Sequence, residues 1–222
     1  MKKRFYPHAF AYRDPLAAEL KMLESAFKEL FEPLRKIPSF AFLDLLRLLL
    51  QQQELPAHCI LVEEGNRPQR IYFIVKGSVV ATCATTEGQE VSWILRSGSF
   101  VFPTKLLSRG KSPATLVVEE ESILLSLSID QYFQLADQFE EAKDWYTAWL
   151  ETFVEQEHAH KMAMRVARTV FYRMLWLVEK WEDCFETFNP LLLASYLDTS
   201  REWISKNIQG VMEIFLKNKN RK

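Results

Sequence analysis

Glycine and proline divide this chain more sharply than any other feature. Five of the six glycines, Gly65, Gly77, Gly88, Gly98 and Gly110, lie between Leu55 and Ser128, while Ile129 to Asn189 contains neither glycine nor proline. Glycine supplies the positive-φ turns that closely spaced strands need. A long stretch free of both residues suits helix. The order is therefore a turn-rich β segment followed by helices, an α+β arrangement. β-rich runs at 58–63, 71–83, 91–95 and 115–126 suggest a sandwich or small barrel, with Glu87-Gly88 at a hairpin tip between Val79-Val80-Ala81 and Val91-Ser92-Trp93.

Two helices precede this segment. Asp14-Pro15 offers a cap and a pre-shaped first helical residue, followed by Leu16, Leu20, Leu23, Phe27 and Leu30 at spacings of three and four. A second runs from an N-cap at Ser39 through Phe42, Leu45, Leu46 and Leu49 to Gln53. Both are expected to pack on the β segment.

The composition is that of a globular chain, 48% hydrophobic and 26% charged over 222 residues. The apolar run from Leu45 to Leu50 is broken by Arg47, far short of the roughly 20 residues a spanning helix requires. His8, Arg13 and Asp14 interrupt any apolar core after Lys2, Lys3 and Arg4 that a secretory leader would need. No membrane partner and a cytoplasmic location are expected. Cys59, Cys83 and Cys184, odd in number and far apart, fit reduced thiols better than disulfides.

Ser128 and Gln131 form the Ser-x-x-Gln arrangement of a helix start. Beyond it, Ala142, Trp145, Trp149 and Phe153 make a stripe at helical spacing that something must cover. Its own barrel is one possible cover. The other, favoured because a two-fold axis buries identical stripes together, is the same helix of a second subunit. A further helix is expected over about 168–181, with Val170, Met174, Leu177 and Trp181 on one face.

Asn189-Pro190 starts another helix, and 198–200 interrupts it. Thr199 and Glu202 then read as a Thr-x-x-Glu capping box for a helix through Ile204, Ile208 and Val211. Two short helices joined by a tight turn are the skeleton of a helix-turn-helix. With those apolar residues inward, Arg201, Glu202, Ser205 and Lys206 face outward. Arginine forks onto guanine O6 and N7, glutamate accepts from cytosine N4, and lysine or serine serves base or phosphate. Thr199 and Ser200, beside the helix N-terminus, suit phosphate positioning. The net charge of -1 gives no global attraction to nucleic acid, but the last segment carries Arg201, Lys206, Lys217, Lys219, Arg221 and Lys222 against Asp198, Glu202 and Glu213.

Enzymatic chemistry has little support. The four histidines do not group with carboxylates and cysteines at metal spacing. Glu155-x-x-His158 is only half of a di-iron pattern. No phosphate-cradling glycine loop or Gly-x-Ser-x-Gly elbow occurs. No catalytic residue, metal or cofactor is expected.

Glu64-Gly65, then 71–79 (Ile-Tyr-Phe-Ile-Val-Lys-Gly-Ser-Val), then Glu87-Gly88-Gln89-Glu90 and 96–100 (Arg-Ser-Gly-Ser-Phe), resemble the cyclic-nucleotide-binding fold of Crp/Fnr transcription regulators. Residues 193–197 (Leu-Ala-Ser-Tyr-Leu) with Ser200-Arg201-Glu202 resemble that family's helix-turn-helix. The resemblance covers about 55–130 and 165–212. It implies N-terminal helices (1–54), a β-roll or jelly-roll sensor barrel (55–130), a long connecting and dimerisation helix (131–165) and a helix-turn-helix domain (166–222). The implied partners are double-stranded DNA at a palindromic site, a second copy of the chain and a small-molecule effector, with RNA polymerase as a further candidate.

Three departures stand out. Trp203 replaces a smaller residue, Asn207 an apolar one and Asp198 a common glycine, and 217–222 stands where many relatives carry a β-hairpin wing. Members that bind cyclic AMP hold ribose and phosphate with Gly-Glu and Arg-Ser pairs. Here those places hold Phe102-Pro103 and about Pro113-Ala114. A buried phosphate without its arginine is strongly disfavoured, so ordinary cyclic AMP binding is not expected. Phe100, Phe102, Thr104 and Lys105 remain the candidate effector pocket, with Phe100 and Phe102 also able to fill it themselves. The alternative reading keeps this architecture as a ligand- or partner-binding module that has lost DNA binding.

Overall fold

The structure is a computed structural model describing residues 6–86, 88–167 and 169–220. It divides into two compact units, Met1–Phe153 and Val154–Lys222. Glu87 and Arg168 lie outside the described residues, as do the terminal cations Lys2, Lys3, Arg4, Arg221 and Lys222.

In the first unit, a 3-10 turn at Pro7–Ala9 precedes α1 (Ala17–Phe31) and α2 (Phe40–Leu49). Eight strands follow: β1 (Gln51–Leu55), β2 (Ile60–Val62), β3 (Arg70–Lys76), β4 (Ser78–Thr85), β5 (Gly88–Arg96), β6 (Phe100–Val101), β7 (Thr115–Val118) and β8 (Ser122–Ser128). They form two four-stranded antiparallel sheets, ordered β1-β8-β3-β6 and β2-β7-β4-β5, facing each other as a barrel-like sandwich. The β4/β5 hairpin pairs Thr85 with Gly88 at its tip. Then come α3 (Ile129–Gln138) and α4 (Glu141–Val166), the latter running through the boundary between the units.

The period of two sorts β3 between two cores. Tyr72 and Ile74 join Val79, Ala81, Trp93, Leu95, Leu116, Val118 and Leu124 inside the barrel. Ile71 and Phe73 join Leu125, Leu127, Phe27, Phe42 and Trp145 between sheet and helices. The N-terminal helices therefore cover the outer face of one sheet.

Several local expectations need correction. α1 begins at Ala17, after the expected Asp14-Pro15, because the Glu19 carboxylate accepts the Leu16 amide at 2.7 Å and closes the first turn. Ser39 caps α2 by accepting the Phe42 amide, but the helix stops at Leu49 rather than Gln53. Gln51 to Leu55 instead pair with β8, and buried Gln52 is held by Glu19 at 2.6 Å. The Ser128–Gln131 capping box forms as read. The helix after it is not continuous, since Phe139 is extended between α3 and α4 and its ring packs edge-on to Phe42. No glycine or proline marks that break.

In the second unit, α5 (Val170–Lys180), α6 (Cys184–Thr187), α7 (Pro190–Tyr196) and α8 (Arg201–Lys219) gather around Met174, Leu177, Val178, Leu193, Ile204 and Val211. Asn189 caps α7 by accepting the Leu192 amide at 2.9 Å.

Gly77 turns the chain between β3 and β4 at φ +96°, and a Cβ there would stand 1.8 Å from Ser122 Oγ. Gly65, at φ +83°, faces open space. Gly65→Ala should therefore cost only the backbone strain, about 1–2 kcal/mol. Gly77→Ala should cost distinctly more in urea unfolding, because β8 must also shift; equal losses would refute the close approach.

Candidate functional site

The turn between α7 and α8 is built on one residue in the left-handed region. Asp198 has φ +51°, where side chains other than glycine, asparagine and aspartate are rarely tolerated. Arg173 of α5 secures it, donating from Nη1 to the Leu197 and Asp198 carbonyls at 3.0 Å each and standing 3.6 Å from the Asp198 carboxylate. The guanidinium thus holds the place that the resemblance gives to glycine. The expected Thr199 capping box does not form. Ser200 is the N-cap, its hydroxyl accepting the Trp203 amide at 3.3 Å, because Thr199 is still in the turn and donates its own amide to the Ala194 carbonyl.

From that start, Ile204 and Val211 are fully buried and Phe215 nearly so, whereas Arg201, Glu202, Ser205 and Lys206 are exposed. The six expected contact residues are thereby brought together, Thr199 half-buried at the turn and the other five exposed over the first turns of α8. The Glu202 carboxyl is held below its usual range by its own backbone amide and by the Ser200 hydroxyl at the helix start. Trp203 lies beside them, 52% exposed. Asn207, in a place the resemblance makes apolar, donates back to the Trp203 carbonyl at 2.8 Å. Beyond it the helix continues to Lys219, which pairs with Glu182 at 2.7 Å. Among the described residues no strand follows α8.

In the first unit, Phe100 and Phe102 are 5% and 3% exposed. Phe100 packs on Phe27, Phe73 and Trp145, and Phe102 lies 4.8 Å from the Trp149 ring and 5.1 Å from Trp145. Trp149 also donates Nε1–H to the Phe100 carbonyl at 2.9 Å. Phe102, where ribose-holding glycine is expected, is thus a member of the helix-facing core. Of Pro113-Ala114, where the phosphate-holding pair is expected, Pro113 is exposed and Ala114 is buried within the barrel, and neither side chain carries a donor. Thr104 and Lys105 are exposed on the loop that follows, with Lys105 in the left-handed region at φ +68°.

That loop and α4 enclose a cleft of about 360 Å³, lined by 102–108 with Tyr146, Trp149, Leu150 and Phe153. The aromatic stripe is consequently shared out. Ala142 and Trp145, expected at a subunit interface, are buried in the unit's own core and have no surface to offer. Trp149 and Phe153 are half-buried, and Leu150 and Val154 are exposed.

Sequence reasoning passed over His160. It lies stacked on Tyr196 at 4.2 Å, with Trp176 at 5.4 Å, and its Nδ1 has no hydrogen-bond partner. Burial, with Lys180 and Lys161 nearby, pushes its pKa down to about 4. The signal was faint, because an isolated histidine in a helix carries no spacing that announces burial.

Residues 52–139 match the family model of the cyclic nucleotide-binding domain. No protein with a curated description matches the sequence. Many solved structures share the fold, and three of them illustrate the likeness. A cyclic nucleotide-binding domain from Methylobacillus flagellatus KT is 15% identical with a TM-score of 0.58, over 72% of this chain and 89% of that one. The c-di-GMP responsive global regulator CLP of Xanthomonas campestris is 14% identical with a TM-score of 0.61, over 79% and 92%. FixK2 from Bradyrhizobium japonicum is 11% identical with a TM-score of 0.62, over 73% and 84%. At these identities the likeness is one of fold. No described helix is long and apolar enough to cross a membrane, and no cluster of three or more metal-ligating side chains occurs among the described residues.

Two outcomes follow for the second unit. Arg173→Met should destabilise it by about 1–3 kcal/mol, because two carbonyls lose a charged donor, whereas Asp198→Gly should be neutral or stabilising; chemical denaturation ranks them, and the reverse order would refute this account of the turn. His160 binds its proton more readily unfolded than folded, so its contribution to stability is complete above the ordinary value of 6.5 and is lost as pH falls toward 4. Thermal melts from pH 7 to 4.5 should show a steeper decline for the natural chain than for His160→Gln.

Proposed function

We propose that this cyclic-nucleotide-binding fold serves a DNA-binding transcription regulator of the Crp/Fnr type, a homodimer reading a palindromic site with the helix that begins after Ser200. The observation that carries the reading is the exposed group Arg201, Glu202, Ser205 and Lys206 on the first turns of α8, opposite buried Ile204 and Val211. A turn tight enough to need Asp198 in the left-handed region sets α7 and α8 apart as a helix-turn-helix would. In this reading Arg201 and Lys206 engage base edges or phosphates, Glu202 selects cytosine, and Thr199 and Ser200 position the backbone. The structural relative CLP is itself described as a global regulator linked to virulence gene expression, which agrees with such a role.

The proposed division of labour assigns 55–130 to sensing, 131–165 to connection and dimerisation, and 166–222 to DNA. A second copy is proposed to pack along α4, although Ala142 and Trp145 of its stripe are already covered within the same chain. Partners are double-stranded DNA, a second copy, RNA polymerase and a small-molecule effector. Cyclic AMP is not the effector expected on this reading, because Phe102 is committed to the core where the resemblance puts a ribose-holding glycine and Pro113-Ala114 offer a phosphate no cation.

A second reading, a ligand- or partner-binding module without DNA binding, draws on the large exposed ring of Trp203 beside the same residues. Selection from random duplexes separates the two. The regulator reading expects an enriched palindrome whose affinity falls with salt through counterion release. It expects Arg201→Ala with Lys206→Ala to abolish the preference. Selection without any enriched sequence supports the second reading instead.

A further inference from the structure

We propose that the cleft between the 102–108 loop and α4 is a binding site for a planar aromatic carboxylate. Its floor is a run of rings: Tyr146 and Trp149 lie 6.0 Å apart at 30°, and Trp149 and Phe153 5.2 Å apart at 20°. Rings grouped in this way make an aromatic wall against which a further ring packs favourably, edge-on or offset. The volume, about 360 Å³, falls in the range of small-molecule sites, which are apolar with a few polar groups that fix orientation.

The charge of the lining selects the ligand's sign. Lys105 is the single cation among the lining residues, and no carboxylate joins it. Among the described residues no hydrogen bond or ion pair engages its amine. The neighbouring cation is already committed, since Arg109 pairs with Asp130 at 2.8 Å and lies over the Phe133 ring. Ser108 directs its hydroxyl proton to the Lys105 carbonyl at 3.2 Å, leaving the Thr104 and Tyr146 hydroxyls as further donors. One ammonium with two hydroxyls suits a carboxylate. A cyclic phosphate diester would lack the bidentate guanidinium that such a group favours.

Lys105 stands on the loop at φ +68°, a conformation that asparagine also tolerates. The ligand would touch the loop and α4 together, and Trp149 ties those elements through the Phe100 carbonyl. As the effector of the proposed regulator this ligand rests on that reading; its binding does not.

The probe is 2-naphthoate, titrated into the full chain by calorimetry, with 2-naphthalenemethanol as the uncharged control and cyclic AMP as the nucleotide control. Saturable one-site binding of naphthoate is expected, with the alcohol weaker by about tenfold and no heat from cyclic AMP. Lys105→Asn, which tolerates the same backbone conformation, should erase the difference between acid and alcohol. Thr104→Phe, on an exposed loop position, should obstruct the cleft and abolish both. Absence of saturable naphthoate binding overturns the site, equal affinity for acid and alcohol overturns the anion, and binding unaffected by Thr104→Phe overturns the location. None of these readouts involves DNA, so a failed selection of duplexes and a failed titration point to different errors.

Discussion

The first unit depends on a strand with no solvent face. Residues 71–74 of β3 are buried without interruption, Tyr72 and Ile74 toward the barrel interior and Ile71 and Phe73 toward the helices. Burying a large apolar side chain contributes about 1.5–3 kcal/mol, so four in succession are of the order of the whole net stability of a domain, about 5–15 kcal/mol. Neither core can be lost while the strand stays folded. The helices before the barrel are thus structural members of the unit, although the matched family region begins only at residue 52.

The same logic governs the segment after β5. Phe100 and Phe102 leave the sheet pointing into the helix-facing core, and Trp149 reaches back to hold the Phe100 carbonyl. The segment to which the resemblance assigns nucleotide holding is here a junction between loop and helix. The open space that remains lies outward, in the cleft lined by Tyr146, Trp149, Leu150 and Phe153 of α4.

Much of this was legible in the sequence because periodicity and turn chemistry are local. The glycine-bounded strands, the Ser128 and Asn189 caps and the inward Ile204 and Val211 of α8 all came from neighbours a few residues apart, while Ile208, expected with them, is only partly buried. What escaped was non-local. Gln51 to Leu55 look like the tail of a helix until β8 offers a ladder, and the break at Phe139 has no breaker residue, only a ring contact with Phe42. The turn before α8 was visible as an interruption, but that Ser200 rather than Thr199 caps it depends on where Asp198 reverses the chain and on Arg173, distant in sequence. The stripe of α4 was correctly seen to need a cover. Periodicity could not say that Ala142 and Trp145 find theirs within the same chain.

The burial of Phe102 also sets what redesign would cost. Building a nucleotide site would begin by replacing that ring with glycine, and deleting a buried phenylalanine side chain costs about 3–5 kcal/mol. An arginine at Pro113 would stand on an exposed position, but its neighbour Ala114 is packed in the barrel interior. Substitutions on the exposed rim of the outer cleft, at Thr104 or Lys105, disturb neither core.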